Sequence, residues 1–254
     1  MKKSFLWMFA AVLCGCLTLT SCGDDDDDEK GVNVSKKEIV GTWEITNISS
    51  DDPLIHIDKD YRFTTFFDDG LFVNQYGNIG SWAVGDGTII LTGSNTKNHM
   101  TAKIVKYSKN EMVISYTELE GTIRATYKRS SVPAIDEDIL VGQWEYSDTI
   151  TSPKGAANLS FNGYVTFFND GTYISSDDSM GKWRLEDNNI YVVFDKYPDE
   201  EYKDIVAFAS YDFLVFHMEN KNATSLMALK RVMHPIDDND VPTPDNDGPL
   251  SDDK

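Results

Sequence analysis

Four histidines, His56, His99, His217 and His234, are the side chains best suited to proton transfer or metal ligation. None lies two or four residues from another, the spacings that bring two side chains to one face of a strand or helix. His217 falls in a strand-like run, and His56 and His99 fall in loop-like segments. The sequence therefore predicts no metal site and no cofactor. Carboxylate pairs occur at Asp51-Asp52, Asp177-Asp178 and Glu200-Glu201. Glycoside hydrolysis needs two carboxylates facing each other across the scissile bond. Adjacent acids in loop-like segments instead read as solvated surface. No Gly-x-Ser-x-Gly, His-Glu-x-x-His or phosphate-binding loop is present, so the common nucleophilic and metallohydrolase devices are missing. No catalytic residue is assigned, and the chain is expected not to be an enzyme.

The remaining candidates are aromatic. Trp43, Phe66, Phe72 and Trp82 in one half of the chain match Trp144, Phe167, Tyr173 and Trp183 in the other. They are expected to form a core, and the same side chains would line any ligand cavity. Their pairing exposes a repeat at an offset of 101 residues. Gly41-Thr42-Trp43-Glu44 matches Gly142-Gln143-Trp144-Glu145, and Phe66 to Gly70 matches Phe167 to Gly171. Gly80-Ser81-Trp82 matches Gly181-Lys182-Trp183, and Met112-Val113-Ile114 is aligned with Phe213-Leu214-Val215. One added residue then brings Lys128-Arg129 onto Lys230-Arg231. The period is too long for a solenoid unit and has the size of a small domain. The copies run over 37–131 and 138–233, joined by a short polar linker at 132–137.

Inside each copy, short runs rich in Val, Ile, Thr, Tyr and Phe alternate with Gly, Asp and Asn, which predicts strands. In the first copy they lie at Thr42–Ile48, Arg62–Phe67, Leu71–Tyr76, Ser81–Val84, Thr88–Leu91, Thr101–Tyr107, Glu111–Glu118 and Thr122–Lys128. Asp69-Gly70 and Asp170-Gly171 mark hairpin turns. Short helices are expected at Val34–Val40 and Ile135–Val141. Eight consecutive antiparallel strands hide their edges by closing on themselves. The predicted fold is all-β: two tandem, small, up-and-down antiparallel β-barrels of about eight strands each. Alternation puts Phe66, Phe72, Trp82, Val84, Ile89 and Leu91 inside the first barrel, with Trp43 and Trp144 plugging one end of each. An eight-stranded barrel is either filled by its side chains or holds one small ligand.

The first-strand Gly-x-Trp, the Phe-x-x-Asp-Gly hairpin and the second Gly-x-Trp resemble the lipocalin-like domains of Bacteroidota lipoproteins. The resemblance covers both copies, about three quarters of the chain. It implies the barrel fold. The wider lipocalin superfamily implies a small apolar ligand in the barrel, although its usual barrels are longer than these copies.

The first residues bear on address. Lys2 and Lys3 precede an apolar run from Phe5 to Leu19, too short for a membrane-spanning helix. Leu19-Thr20-Ser21-Cys22 follows and resembles the lipobox of bacterial lipoproteins. That resemblance implies a signal peptide over 1–21 and acylation of Cys22, a multiple-chain anchor of durable kind. Cys14 and Cys16 fall within the part removed, so no disulfide and no cysteine metal site is expected. Six acids, Asp24 to Glu29, follow in a tether over 22–36. An acidic run at this place resembles the Bacteroidota signal for export to the outer face of the outer membrane. The tail, 234–254, is rich in acids and proline and is expected to be disordered.

The chain carries 42 acidic and 23 basic residues, a net charge of −19, which argues against nucleic acid as a partner. The expected partners are a membrane, through Cys22, and a small ligand, glycan or protein. The connections Ser49–Asp60 and Thr151–Asn162 differ between copies while the frame agrees. Variable loops on a constant frame are expected to carry recognition.

Overall fold

The computed structural model describes residues 31–50, 63–74, 76–95, 99–118, 121–152, 163–219 and 223–232. Each copy begins with one helical turn, α1 (Lys36–Ile39) and α2 (Glu137–Leu140). Ser35 and Glu38 close the start of α1, the Glu38 carboxylate accepting from the Ser35 amide at 2.8 Å. Asp136 caps α2 by accepting from the Asp138 amide at 3.2 Å. These are local N-terminal signals, and each helix stops after a turn because Gly41 and Gly142 follow at φ of +124° and +133°.

Eight strands follow each helix. The first set is β1 (Gly41–Ser50), β2 (Phe63–Phe66), β3 (Leu71–Val73), β4 (Ile79–Gly85), β5 (Thr88–Gly93), β6 (His99–Ser108), β7 (Glu111–Glu118) and β8 (Gly121–Ser130). The second is β9 (Gly142–Ser152), β10 (Tyr164–Phe167), β11 (Thr172–Ser175), β12 (Met180–Glu186), β13 (Asn189–Phe194), β14 (Glu201–Ala209), β15 (Phe213–Glu219) and β16 (Thr224–Arg231). Every strand pairs antiparallel with its neighbour in sequence, and β8 returns to β1 as β16 returns to β9. The result is two closed eight-stranded barrels in tandem, consistent with a lipocalin-like fold. His99 begins β6, where the sequence suggested a loop.

Turn chemistry sets the register. The β4–β5 and β12–β13 hairpins turn on Asp86-Gly87 and Asp187-Asn188, all four at positive φ, as a two-residue type I′ turn requires. Gly70 and Gly171 take φ of +89° and +78° at the β2–β3 and β10–β11 turns. Their carbonyls accept from the amides of Trp82 and Trp183 at 2.7 Å.

One end of each barrel is plugged. Trp43 and Trp144 are fully buried. Their indole Nε1 groups donate to the Ile39 and Leu140 carbonyls at 2.7 Å. Arg129 and Arg231 cover them, each guanidinium 4.2 Å from the ring centre, and donate to the Val40 and Val141 carbonyls at 2.8 Å. The loose carbonyls of each helical turn thus find a donor where water is excluded.

The repeat register needs one correction. Ser108 and Glu111 exchange the same bonds as Ser210 and Phe213. Met112 and Ile114 point into the first core, as Leu214 and Phe216 do into the second. The offset is therefore already 102 at this hairpin, and Met112 corresponds to Leu214, not Phe213. The added residue lies in the connection between β13 and β14. It escapes a sequence comparison because a one-residue slip exchanges two faces that are both apolar here.

The barrels dock side by side. Leu71, Val73 and Ile79 on the outer face of β3 and β4 meet Ala207, Val215, Leu226 and Ala228 on the outer face of β14 to β16. His217 is set into this seam, 4% exposed, with Nε2 2.9 Å from the Asp69 carboxylate. Its ring stacks on Phe67 at 4.3 Å and 3°. Ser152 Oγ donates to the Asp69 carbonyl at 2.8 Å, and the Ser94 hydroxyl bonds to Asp148. The seam is thus apolar at its centre and tied by polar groups at its edge, as stable interfaces are.

Candidate functional site

All eight aromatic residues singled out by the repeat are buried in the two cores. Their surroundings differ. In the first barrel Phe66 and Phe72 sit 6.3 Å apart, and Phe66 meets Trp82 edge-on at 5.1 Å. The remaining void beside Phe66 and Phe72 is about 10 Å³, room for a single water at most. In the second barrel Phe167, Tyr173 and Trp183 keep the same arrangement, at 6.3 and 5.3 Å. Here Phe167 and Tyr173 bound a cavity of about 400 Å³, within the roughly 300–1,000 Å³ of small-molecule pockets.

Matched positions carry different side chains in the two barrels. Tyr127, 6% exposed, fills the middle of barrel 1, and the register places Leu229 at that position in barrel 2. Tyr116 gives way to Met218 on the neighbouring strand. Gly93 opposite Gly80 becomes Phe194 opposite Gly181, adding an aromatic wall. Tyr173 and Phe194 meet edge-on at 5.9 Å. The wall continues through Val165, Ile190, Val192, Phe216 and Met227. The mouth opens beside Ser175, Ser176, Asp177 and Ser179, in the β11–β12 turn and so at the end away from α2.

Three polar groups interrupt this lining. Asp204 on β14 is inward-facing, with Ile190 as its ladder partner; barrel 1 has Ala102 opposite Ile89. Among the described residues no donor reaches the Asp204 carboxylate. Burial pushes its pKa up to about 6, against a small opposing pull from His217 behind the sheet. The Tyr173 hydroxyl is buried without a partner, and barrel 1 has Phe72 there. Burial, and then Asp177, Asp195 and Tyr146, hold the Tyr173 phenol above its ordinary range. Tyr146, at the position of Ile45, is raised by burial and by Asp177. Asp177 itself is held low by hydrogen bonds from Ser175 and Ser179. Among the described residues, every titratable side chain that lines the cavity is therefore acidic or phenolic. Lys203, next to Asp204 in sequence, faces outward over Tyr191.

A second concavity, of about 320 Å³, lies between the barrels, between Phe63, Thr65 and Val73 on one side and Ala207 to Tyr211 on the other. The linker residues Val132 to Ile135 border it, and it contains no inward carboxylate.

The sequence comparison singled out Phe167 and Tyr173, which do line the cavity, but not Asp204. With the corrected register, Asp204 stands out as a carboxylate in an inward slot that the other copy fills with alanine. No group of three or more metal-binding side chains occurs among the described residues. Among them, Asp178 and Glu200 are exposed and Glu201 pairs with Arg184 at 3.1 Å. Cys22, His56, His234, Asp51, Asp52 and most of the two variable connections lie outside the described residues. No protein-family model matches the chain, and no curated protein matches it.

Proposed function

We propose that the protein is a non-enzymatic binding protein whose second barrel holds one small, mainly apolar ligand and whose first barrel is its packed support. The observation that carries this reading is the contrast between a cavity of about 400 Å³ in the second barrel and a void of about 10 Å³ beside the matching aromatics of the first. Random drift of a core leaves destabilising voids without polar groups placed in them. Here the void is accompanied by Asp204 and Tyr173, two groups that cost stability where they stand. The aromatic lining with few donors suits an apolar body better than a glycan, which needs many polar partners. The proposed setting is the outer face of the outer membrane, with the chain anchored through Cys22 and extended by its acidic tether, as in the lipoproteins of Bacteroidota that it resembles. A second reading, a protein-interaction module, is favoured by Phe168 and Met180, 39% and 53% exposed on the outer side of barrel 2.

The test is a titration of the full chain with a neutral, environment-sensitive apolar fluorophore such as N-phenyl-1-naphthylamine. Saturable binding at one site per chain is expected. Leu229→Tyr, which imports the side chain that fills barrel 1, should abolish it while the protein stays folded by circular dichroism. Binding that is absent, or unchanged by that substitution, refutes the reading.

A further inference from the structure

We infer that the ligand of the second barrel is a small monocationic amine with an aromatic or alkyl body, its ammonium paired with the Asp204 carboxylate. This deepens the proposed function and rests on it.

The cavity is apolar over most of its wall, so the body of the ligand is apolar. Its polar groups then define the head. Asp204 offers acceptor oxygens that no donor from the described residues uses, and the Tyr173 hydroxyl is buried and unpartnered. A carboxylate head would meet Asp204 with like charge in a site of low polarity, and among the described residues no cationic side chain lines the cavity to compensate. A neutral body would leave the Asp204 charge desolvated and unpaired. An ammonium supplies the donors that Asp204 lacks, because it has three donors and no acceptor. Tyr146, Tyr173 and Phe194 line the same cavity, and ring faces attract a desolvated cation. Asp177 at the mouth adds negative potential along the way in. Barrel 1 lacks this set at matched positions, with Ala102, Phe72, Ile45 and Gly93, and it lacks the cavity as well.

Three probes of one shape separate the choices: tryptamine, neutral 3-ethylindole and anionic indole-3-propionate, each displacing N-phenyl-1-naphthylamine from the full chain near neutral pH. Tryptamine is expected to bind at least about tenfold more tightly than 3-ethylindole, the scale of one charge-assisted contact, with indole-3-propionate weakest. Asp204→Asn should bring the tryptamine to 3-ethylindole ratio close to one. Asp204→Glu should retain the preference for the amine. Equal binding of the three probes, a preference for the anion, or a ratio unmoved by Asp204→Asn overturns the amine assignment while fluorophore binding stands. Failure of the fluorophore and all three probes to bind overturns the binding reading itself, and the amine with it.

Discussion

Asp204→Asn should make the protein more stable, and only above mildly acidic pH. The carboxyl's pKa rises from 3.8 to about 6 in the folded chain, chiefly through burial. The groups around it are Tyr146, Tyr173 and Asp177 in the cavity and His217 behind the sheet. None of these places a positive charge inside the lumen. An acid with a raised pKa holds its proton more tightly when folded, so it imposes no penalty at a pH below 3.8. The penalty grows as pH climbs from there and levels off above about 6. At about 1.4 kcal/mol per unit, the full effect is roughly 3 kcal/mol, of which about 2 develop between about pH 4.5 and about pH 7.5. The substituted side-chain amide carries its own desolvation cost, but that cost is the same at both pH values. Urea unfolding of both proteins at the two pH values measures the difference directly. The variant should gain about 2 kcal/mol on the native chain between the first pH and the second. Parallel stability curves would refute the claim that Asp204 is a strained, ionised group in an apolar cavity.

Four further outcomes follow from the same geometry. Tyr127→Leu trims a side chain packed inside barrel 1; it should destabilise by about 1–3 kcal/mol by urea unfolding, and fluorophore uptake should stay at one equivalent per chain, since one trimmed ring opens far less space than a ligand needs. His217→Ala breaks the seam between the barrels, leaves the Asp69 carboxylate half-buried without its partner, and should cost about 2–4 kcal/mol by urea unfolding. Burial alone would raise the Asp69 carboxyl, but hydrogen bonds from His217 and the Leu71 amide hold it below the ordinary range. Its stabilisation is therefore full above the usual carboxylate range and is lost as pH falls through its lowered pKa. A pH–stability profile of Asp69→Asn should lack that acid limb. Trp144→Phe deprives the Leu140 carbonyl of its indole donor at 2.7 Å and should lower stability by about 1–3 kcal/mol without changing fluorophore affinity.

The barrel frame was legible because three signals agreed on it. Alternation about Asp69-Gly70 put Phe66 and Phe72 on one face, the twin Gly-x-Trp motifs fixed two more positions, and the repeat gave each inference a second witness. The cavity was not legible, since emptiness depends on volumes summed across the lumen. Tyr127 and Leu229 both read as ordinary inward strand residues, and only their opposing neighbours decide whether the centre is filled. Asp204 was hidden by the slipped register, which matched it to a residue of the wrong face. The seam was hidden for another reason. Asp69 and Asp170 perform the same turn chemistry, each accepting from the amide two residues on. In both, the turn uses Oδ1 and leaves Oδ2 over; only at Asp69 does the other barrel bring up His217 to meet it.

The seam joins unlike surfaces, the β3–β4 side of one barrel to the β14–β16 side of the other. A contact of this head-to-tail kind always leaves two unused ends, and complementary ends would let chains grow into filaments. At the free end of barrel 1 the register places Lys106, Ser115, Arg124 and Thr126 where barrel 2 uses Phe208, His217, Leu226 and Ala228. Burying Arg124 against the exposed Phe168 and Met180 of another chain would strip a charge of water with nothing to pair it. The first barrel is therefore the capping unit of a two-unit array, as polar end repeats are in longer ones. A polar end of this kind disfavours growth of the same seam from chain to chain, although the opposite end is apolar at Phe168 and Met180.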